Sequence, residues 1–315
     1  MRRPRSSAAP SAPRGIVCMV AAFLFVAVTG SLVKQAVASG LPTAVVVFFE
    51  SLIPLLAVTA WHLRRGLKKF SLPSGRYGLQ FLQGSLAFFT SYLMYLAIRT
   101  VPVSSGVLLN SSAPLFIPVI SYFWFRRRLS PGLIAAVAVG FVGIVLILDP
   151  AAGTFARPGI LLALASGVAV AFDDIVVGLL DDAGTEREDV TLFFVFLMTA
   201  LLSGLFAAPV WKTPRGAQWI YLFAAAAGFL FIELFLVRSF SFAPVAVVSP
   251  FMYFGVVFAG VIDWLAWGEV PGLRMLAGVA LVVGGAVFSI LGGAGPPSRP
   301  GLDGNTPPGI IGPER

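Results

Sequence analysis

The sequence is short of the side chains that most enzymes work with. Its 315 residues hold a single histidine, His62, and a single cysteine, Cys18. One histidine excludes a His-Glu-x-x-His zinc site, and it leaves no serine with an available histidine base. One cysteine excludes an internal disulfide and a thiol cluster. Cys18 lies inside an apolar run and reads as a small hydrophobe. No phosphate-binding glycine loop is present, so neither a cofactor nor an enzymatic activity is expected. Charge is scarce as well: 11% of residues are charged, against roughly 25% in soluble chains. That scarcity excludes an ordinary soluble domain.

What fills the sequence instead is apolar, at 58%. Charge-free runs cover Gly15–Val33, Tyr77–Ile98, Val101–Phe125, Leu129–Leu148, Val190–Trp211, Ser239–Ile262 and Met275–Ser298. Each reaches the roughly 18 residues that a spanning helix needs. Three more runs are long enough but carry acids: Leu41–Trp61 with Glu50, Pro158–Leu180 with Asp173 and Asp174, and Gly216–Val237 with Glu233. Alternating barrel strands are not seen, so the expected fold is an all-α integral membrane protein of ten transmembrane helices. Segments six to ten loosely repeat segments one to five. Because five is odd, the expected arrangement is two inverted five-helix repeats, residues 15–149 and 157–291, with a solute pathway between them.

The net charge of +8 is distributed as membrane topology requires. Arg64, Arg65, Lys68, Lys69 and Arg76 follow segment two, and Arg126, Arg127 and Arg128 follow segment four. Basic loops mark the cytoplasmic side. Lys212, Arg215 and Arg274 are the sparser counterparts in the second half. The expected location is therefore the cytoplasmic (inner) membrane, multi-pass, with both termini cytoplasmic. The partner of these loops is anionic lipid headgroups, not nucleic acid, and a homodimer is compatible with the pattern. All six tryptophans fall near expected helix ends, where amphipathic rings favour the interface.

Residues 1–14 and 292–315 are rich in Pro, Gly, Ser and Ala and are expected to be disordered tails. Arg2, Arg3, Arg5 and Arg14 before an apolar run, with Ala36-Val37-Ala38 after it, have the outline of a signal peptide. The run is longer than the roughly 7–15 residues of a signal core, so a retained first helix is the reading preferred.

Two stretches carry the repeat. Ile98-Arg99-Thr100 matches Val237-Arg238-Ser239, and the run Arg127–Gly143 matches Glu269–Gly285. With Tyr95-Leu96-Ala97-Ile98-Arg99, Ala113-Pro114-Leu115-Phe116 and Trp267-Gly268-Glu269, the chain resembles the drug/metabolite transporter superfamily, in particular its EamA-type members. The resemblance runs from about Gly15 to Leu291. It implies transport of small polar metabolites, such as amino acids or related compounds, in the direction of export. Two positions depart from the family pattern: Glu50 follows Phe48-Phe49 where a basic residue is common, and Arg126-Arg127-Arg128 replace a glutamate after helix four.

An ionisable group at membrane depth costs at least about 2.5–3.5 kcal/mol on insertion scales, so each needs a cavity, a partner or a function. Glu50 is the leading candidate, as a cation, amine or proton site; the structural alternative is a pairing with Lys34 or Arg99. Asp173 is a candidate coupling residue, against a water-exposed vestibule. Glu233 is a second, against a pairing with Arg238. Asn110 and Ser111, ahead of Pro114 and Pro118, and Ser249 and Tyr253, around Pro250, sit where proline kinks free backbone carbonyls. They are read as substrate-binding, against plain helix–helix bonding. Tyr92, with Phe88, Phe89 and Tyr95, is read as an aromatic wall or as core. Gly140, Gly143, Gly278, Gly284 and Gly285 are read as close packing. The rival from another class is a non-transporting membrane assembly or scaffold protein.

Overall fold

The computed structural model describes residues 12–64, 76–125, 131–148, 158–181, 188–243, 248–268 and 272–291. Arg65, Lys68, Lys69, Arg126, Arg127, Arg128, Glu269 and nearly all of both tails lie outside these residues, as does the side chain of Ser249. The described residues form eleven α-helices and no strand. The helices are α1 (Ala12–Ala38), α2 (Thr43–Arg64), α3 (Tyr77–Ala97), α4 (Val103–Asn110), α5 (Ala113–Phe125), α6 (Pro131–Leu148), α7 (Pro158–Asp181), α8 (Glu188–Ala207), α9 (Gln218–Phe242), α10 (Phe254–Trp267) and α11 (Leu273–Leu291).

Six stretches are long and apolar enough to cross a bilayer: α1, α2, α7, α8 and α9, and the stretch Val103–Ile120 that joins α4 to α5. The shorter apolar stretches are Pro131–Leu146, Phe251–Trp267 and Leu276–Gly285. The remaining helix, α3, is 21 residues long but carries Gln80 and Gln83, both buried. The two amides lower the hydropathy of the helix while being buried themselves, and its outer face still carries Phe81, Leu82 and Phe89. Large apolar side chains such as Phe123, Leu205, Leu265 and Leu273 point outward, an arrangement that lipid solvates and water does not.

The helices pair across the chain rather than along it. The most extensive contacts are α1 with α9, α6 with α11, α3 with α7 and α2 with α8. Next come α3 with α8, α1 with α10, α2 with α9, and α4 with α7 and α10. In each pair one helix precedes residue 149 and the other follows residue 157. Small residues let these backbones approach, as they do in lipid where hydrophobic drive is absent. A Cβ on Gly143 of α6 would meet the Gly278 carbonyl and Val282 nitrogen of α11, and one on Gly285 would meet Gly140. One on Gly228 of α9 would overlap Thr29 of α1, and one on Gly84 of α3 would overlap Met198 of α8. The packing role read for Gly140, Gly143, Gly278 and Gly285 therefore holds. Gly284 faces open space, because it lies one residue round the helix from the seam.

Candidate functional site

Glu50 is the eighth residue of α2, so at 1.5 Å per residue it stands about 11–12 Å into the helix. It is 1% exposed. The Tyr95 hydroxyl, on α3, donates to Glu50 Oε1 at 2.6 Å. Neither expected cation reaches it: Lys34 Nζ lies 4.5 Å above the Trp267 ring, and Arg99 is exposed. Their position follows from geometry, since both sit near helix ends while Glu50 sits a third of the way along α2. Pro54, four residues on, lies inside the same helix. It has no N–H to give the Glu50 carbonyl.

Aromatic rings crowd this end of α2. Phe49 meets Phe48, Trp211 and Trp219 at centroid distances of 5.3, 5.8 and 5.1 Å. Tyr92 stacks on Phe88 at 5.3 Å and lies 5.5 Å from Phe206. Tyr92 and Phe49 pack together on Ala44, Val45 and Ala207. The structure therefore gathers Glu50, Tyr92 and Tyr95 on the α2–α3 face beside α8.

The second group of expected residues surrounds the break between α4 and α5. Ser111 and Ser112 form a turn between the two helices. Pro114 lacks the N–H that would continue the helical bond to Asn110, so the interruption falls ahead of the proline. Asn110 Nδ2 donates to Ser166 Oγ of α7 at 3.1 Å, and Ser166 in turn donates to the Ala163 carbonyl at 2.7 Å. A Cβ on Gly167 would overlap the Leu109 carbonyl, so α7 seats the break tightly. The Ser111 hydroxyl is buried with no hydrogen-bond partner among the described residues. Tyr253 ends a 3-10 turn, Ser249–Tyr253, that leads into α10, and its buried hydroxyl is likewise unpartnered.

The acids of α7 and α9 form a third group. Asp173 lies close enough to Asp174 and Glu233 for their charges to act on it, and its Oδ1 has no hydrogen-bond partner among the described residues. Glu233 forms no ion pair with Arg238, which is exposed, so that expected pairing is not formed. No hydrogen bond among the described residues links these acids to Glu50 or Asn110. His62 is 6% exposed, with Nε2 at 3.7 Å from Asp189 Oδ2. Among the described residues no group of His, Cys, Asp and Glu is arranged to hold a metal.

Sequence reasoning missed Asp263. It is buried in α10, and its two oxygens accept the backbone N–H groups of Val103 and Ser104 at 3.1 and 2.6 Å. A signal for it does exist. The residue ahead of α4 is Pro102, which offers no side-chain cap, so a buried start there needs an acceptor from elsewhere.

A bundle of apolar helices paired across two halves, with a broken helix and unpaired polar groups between them, defines a multi-pass membrane protein. The family model of EamA-like transporters matches residues 13–149 and again residues 157–291. The chain belongs to the EamA-like transporter family. It is 26% identical to an S-adenosylmethionine uptake transporter of Rickettsia felis, over 77% of this chain and 80% of that one. It is 24% identical to a riboflavin transporter of Vibrio cholerae, over 87% and 92%, and 27% identical to a pseudopaline exporter of Pseudomonas aeruginosa, over 85% and 92%. A solved crystal structure matches with a TM-score of 0.62 at 22% identity, covering 89% of this chain and 98% of that one; that likeness concerns the fold alone. The family and these relatives are small-molecule transporters of membranes rather than enzymes.

Proposed function

We propose that this chain is a secondary transporter that exports small polar metabolites, amino acids or related compounds, across the cytoplasmic membrane by alternating access. In this reading it crosses the membrane ten times, with α4 and α5 as two parts of the fourth span, and both termini are cytoplasmic. Residues 15–149 and 157–291 are inverted halves. Support comes from the pairing of the helices. Exchanging each span of the first half with its counterpart turns α1–α9 into α7–α3, α3–α8 into α9–α2 and α1–α10 into α7–α4. Each of these is an extensive contact, as a two-fold relation between halves requires. No nucleotide-binding motif is present in the sequence, so any energy that transport uses comes from a gradient. Export follows the family resemblance and the Pseudomonas relative; the Rickettsia relative is named for uptake, so direction is scored in the test.

The proposed site comprises Glu50, Tyr92, Asn110, Ser111, Ser249 and Tyr253, with Asp173 and Glu233 as coupling acids. One observation carries it: a wholly buried acid whose sole hydrogen-bond partner among the described residues is a tyrosine. A carboxyl offers about four acceptor positions, and one donor leaves most of them unused. Such a group suits a cargo that brings N–H donors, or a proton, to it.

The test compares metabolites outside and inside cells that produce the wild type, Glu50→Gln at matched membrane abundance, or neither. Export predicts a compound enriched outside with the wild type alone. Enrichment inside would reverse the direction and keep the site. Identical profiles in all three, with no solute raising the thermal midpoint of the purified protein, would replace transport by a scaffold role.

A further inference from the structure

We propose that Asp263 is a positioning residue that ties α4 to α10 and so fixes where the α4–α5 break stands in the pathway. The proposal rests on the alternating-access reading above. Asp263 does not touch the proposed site. It lies ten residues beyond Tyr253, about 15 Å along the helix at 1.5 Å per residue. Its action is through α4.

The first N–H groups of a helix have no partner within it. At α4 they are buried, because Val103, Ser104 and Ser105 all are. Pro102 precedes them without a side-chain oxygen to offer. Asp263 supplies both acceptors, one oxygen to Val103 N–H at 3.1 Å and the other to Ser104 N–H at 2.6 Å. An acid at a helix N-terminus also opposes the helix dipole favourably. At the far end of α4, Asn110 binds Ser166 of α7. Along its sides, Gly30 of α1 admits Val103, and Gly255 of α10 admits Val107.

Both ends of α4 are thus bonded to the second half, although the chain places it in the first. When the halves move, α4 either travels with α7 and α10 or Asp263 lets go. In both cases the carboxylate decides how the break at Ser111 follows the motion.

The test uses the full chain in phosphatidylethanolamine–phosphatidylglycerol proteoliposomes, with Cys18→Ser and Ser111→Cys. The Ser111 hydroxyl has no partner among the described residues, so a thiol there breaks no hydrogen bond among them. Because Ser111 belongs to the proposed site, this background serves the labelling alone. A membrane-impermeant maleimide then reports how often residue 111 becomes accessible. Asp263→Asn preserves side-chain volume but keeps an acceptor for only one of the two N–H groups. It is expected to change that labelling rate at least tenfold, with a fall in the thermal midpoint smaller than that of Asp263→Ala. In the chain that keeps Cys18 and Ser111, Asp263→Asn lowers turnover more than solute affinity. A purely structural cap predicts a lower midpoint with labelling unchanged in whatever protein remains folded, so the labelling discriminates.

Should Asp263→Asn fail to fold, Val103→Pro makes the test from the other side. Proline suits the first helical position and removes one of the two donors. It is expected to shift labelling in the same direction by a smaller factor. A labelling rate within twofold of the parent, in whichever variant folds, overturns the proposal. Solute movement is scored separately in the wild-type chain, with Cys18 and Ser111 in place. A wild type that moves nothing overturns the transport reading, while the labelling still decides the role of Asp263.

Discussion

Glu50 and Asp263 are each 1% exposed, and each is the sole acid of its helix, yet their surroundings treat them differently. At the α4–α10 contact both Asp263 oxygens accept backbone N–H groups. At the α2–α3 contact Glu50 receives one side-chain hydroxyl. Backbone donors are fixed by the fold and cannot turn away, whereas a tyrosine hydroxyl rotates and can be replaced. The first arrangement is complete within the protein. The second has room for something else. Burial alone therefore does not mark a transport site; burial with unfilled hydrogen-bonding capacity does.

The sharpest way to break this contrast is to remove each acid and compare. Asp263→Ala leaves two buried N–H groups unsatisfied, at about 1–3 kcal/mol each. It is expected to lower the thermal midpoint of the purified protein by the largest margin of any change considered. A midpoint equal to wild type would show that water or another group serves α4 as well. Glu50→Gln is expected to behave oppositely, keeping or raising the midpoint while transport falls at least tenfold. A protein that transports normally with glutamine at position 50 would remove Glu50 from the pathway and leave the two acids alike.

Tyr95→Phe comes next in size. Phenylalanine keeps the ring packing of α3 but takes away the one hydroxyl that holds Glu50. Loss of one hydrogen bond to a buried acid is worth about 1–3 kcal/mol, so half-saturation for solute should rise several-fold with abundance unchanged. An unchanged value would mean that cargo or water replaces the tyrosine in the working protein.

Much of this architecture is legible in the amino-acid sequence. Hydropathy places the helices, because in lipid a backbone must bond to itself and long apolar runs have one way to do so. Glu50 stands out because charge is rare at that depth. Pro114 points to the break, although the interruption falls at Ser111–Ser112, upstream, where its missing N–H would have acted. Contacts between distant segments are not legible. Tyr95 reads as one aromatic among several in α3, and Ser166 as one small residue in an apolar run. Asp263 sits at the edge of an apolar run beside Trp264, where an acid looks interfacial. Only the fold brings it under a helix start 160 residues away.

The smallest expected effect tests the idea of unfilled capacity most directly. The Tyr253 hydroxyl is buried in the 3-10 turn before α10 without a hydrogen-bond partner among the described residues. An unpaired buried hydroxyl has lost its water and gained nothing, so removing it carries no bonding loss in the empty protein. Tyr253→Phe should therefore leave the midpoint unchanged or raise it by about 1 kcal/mol equivalent. If the hydroxyl instead waits for cargo, the same change should weaken solute binding two- to tenfold, seen as a smaller midpoint rise when solute is added. Stability and affinity would then move in opposite directions from one oxygen atom, which plain core packing cannot produce. A drop in both would place Tyr253 with Asp263 among the groups that the fold itself satisfies.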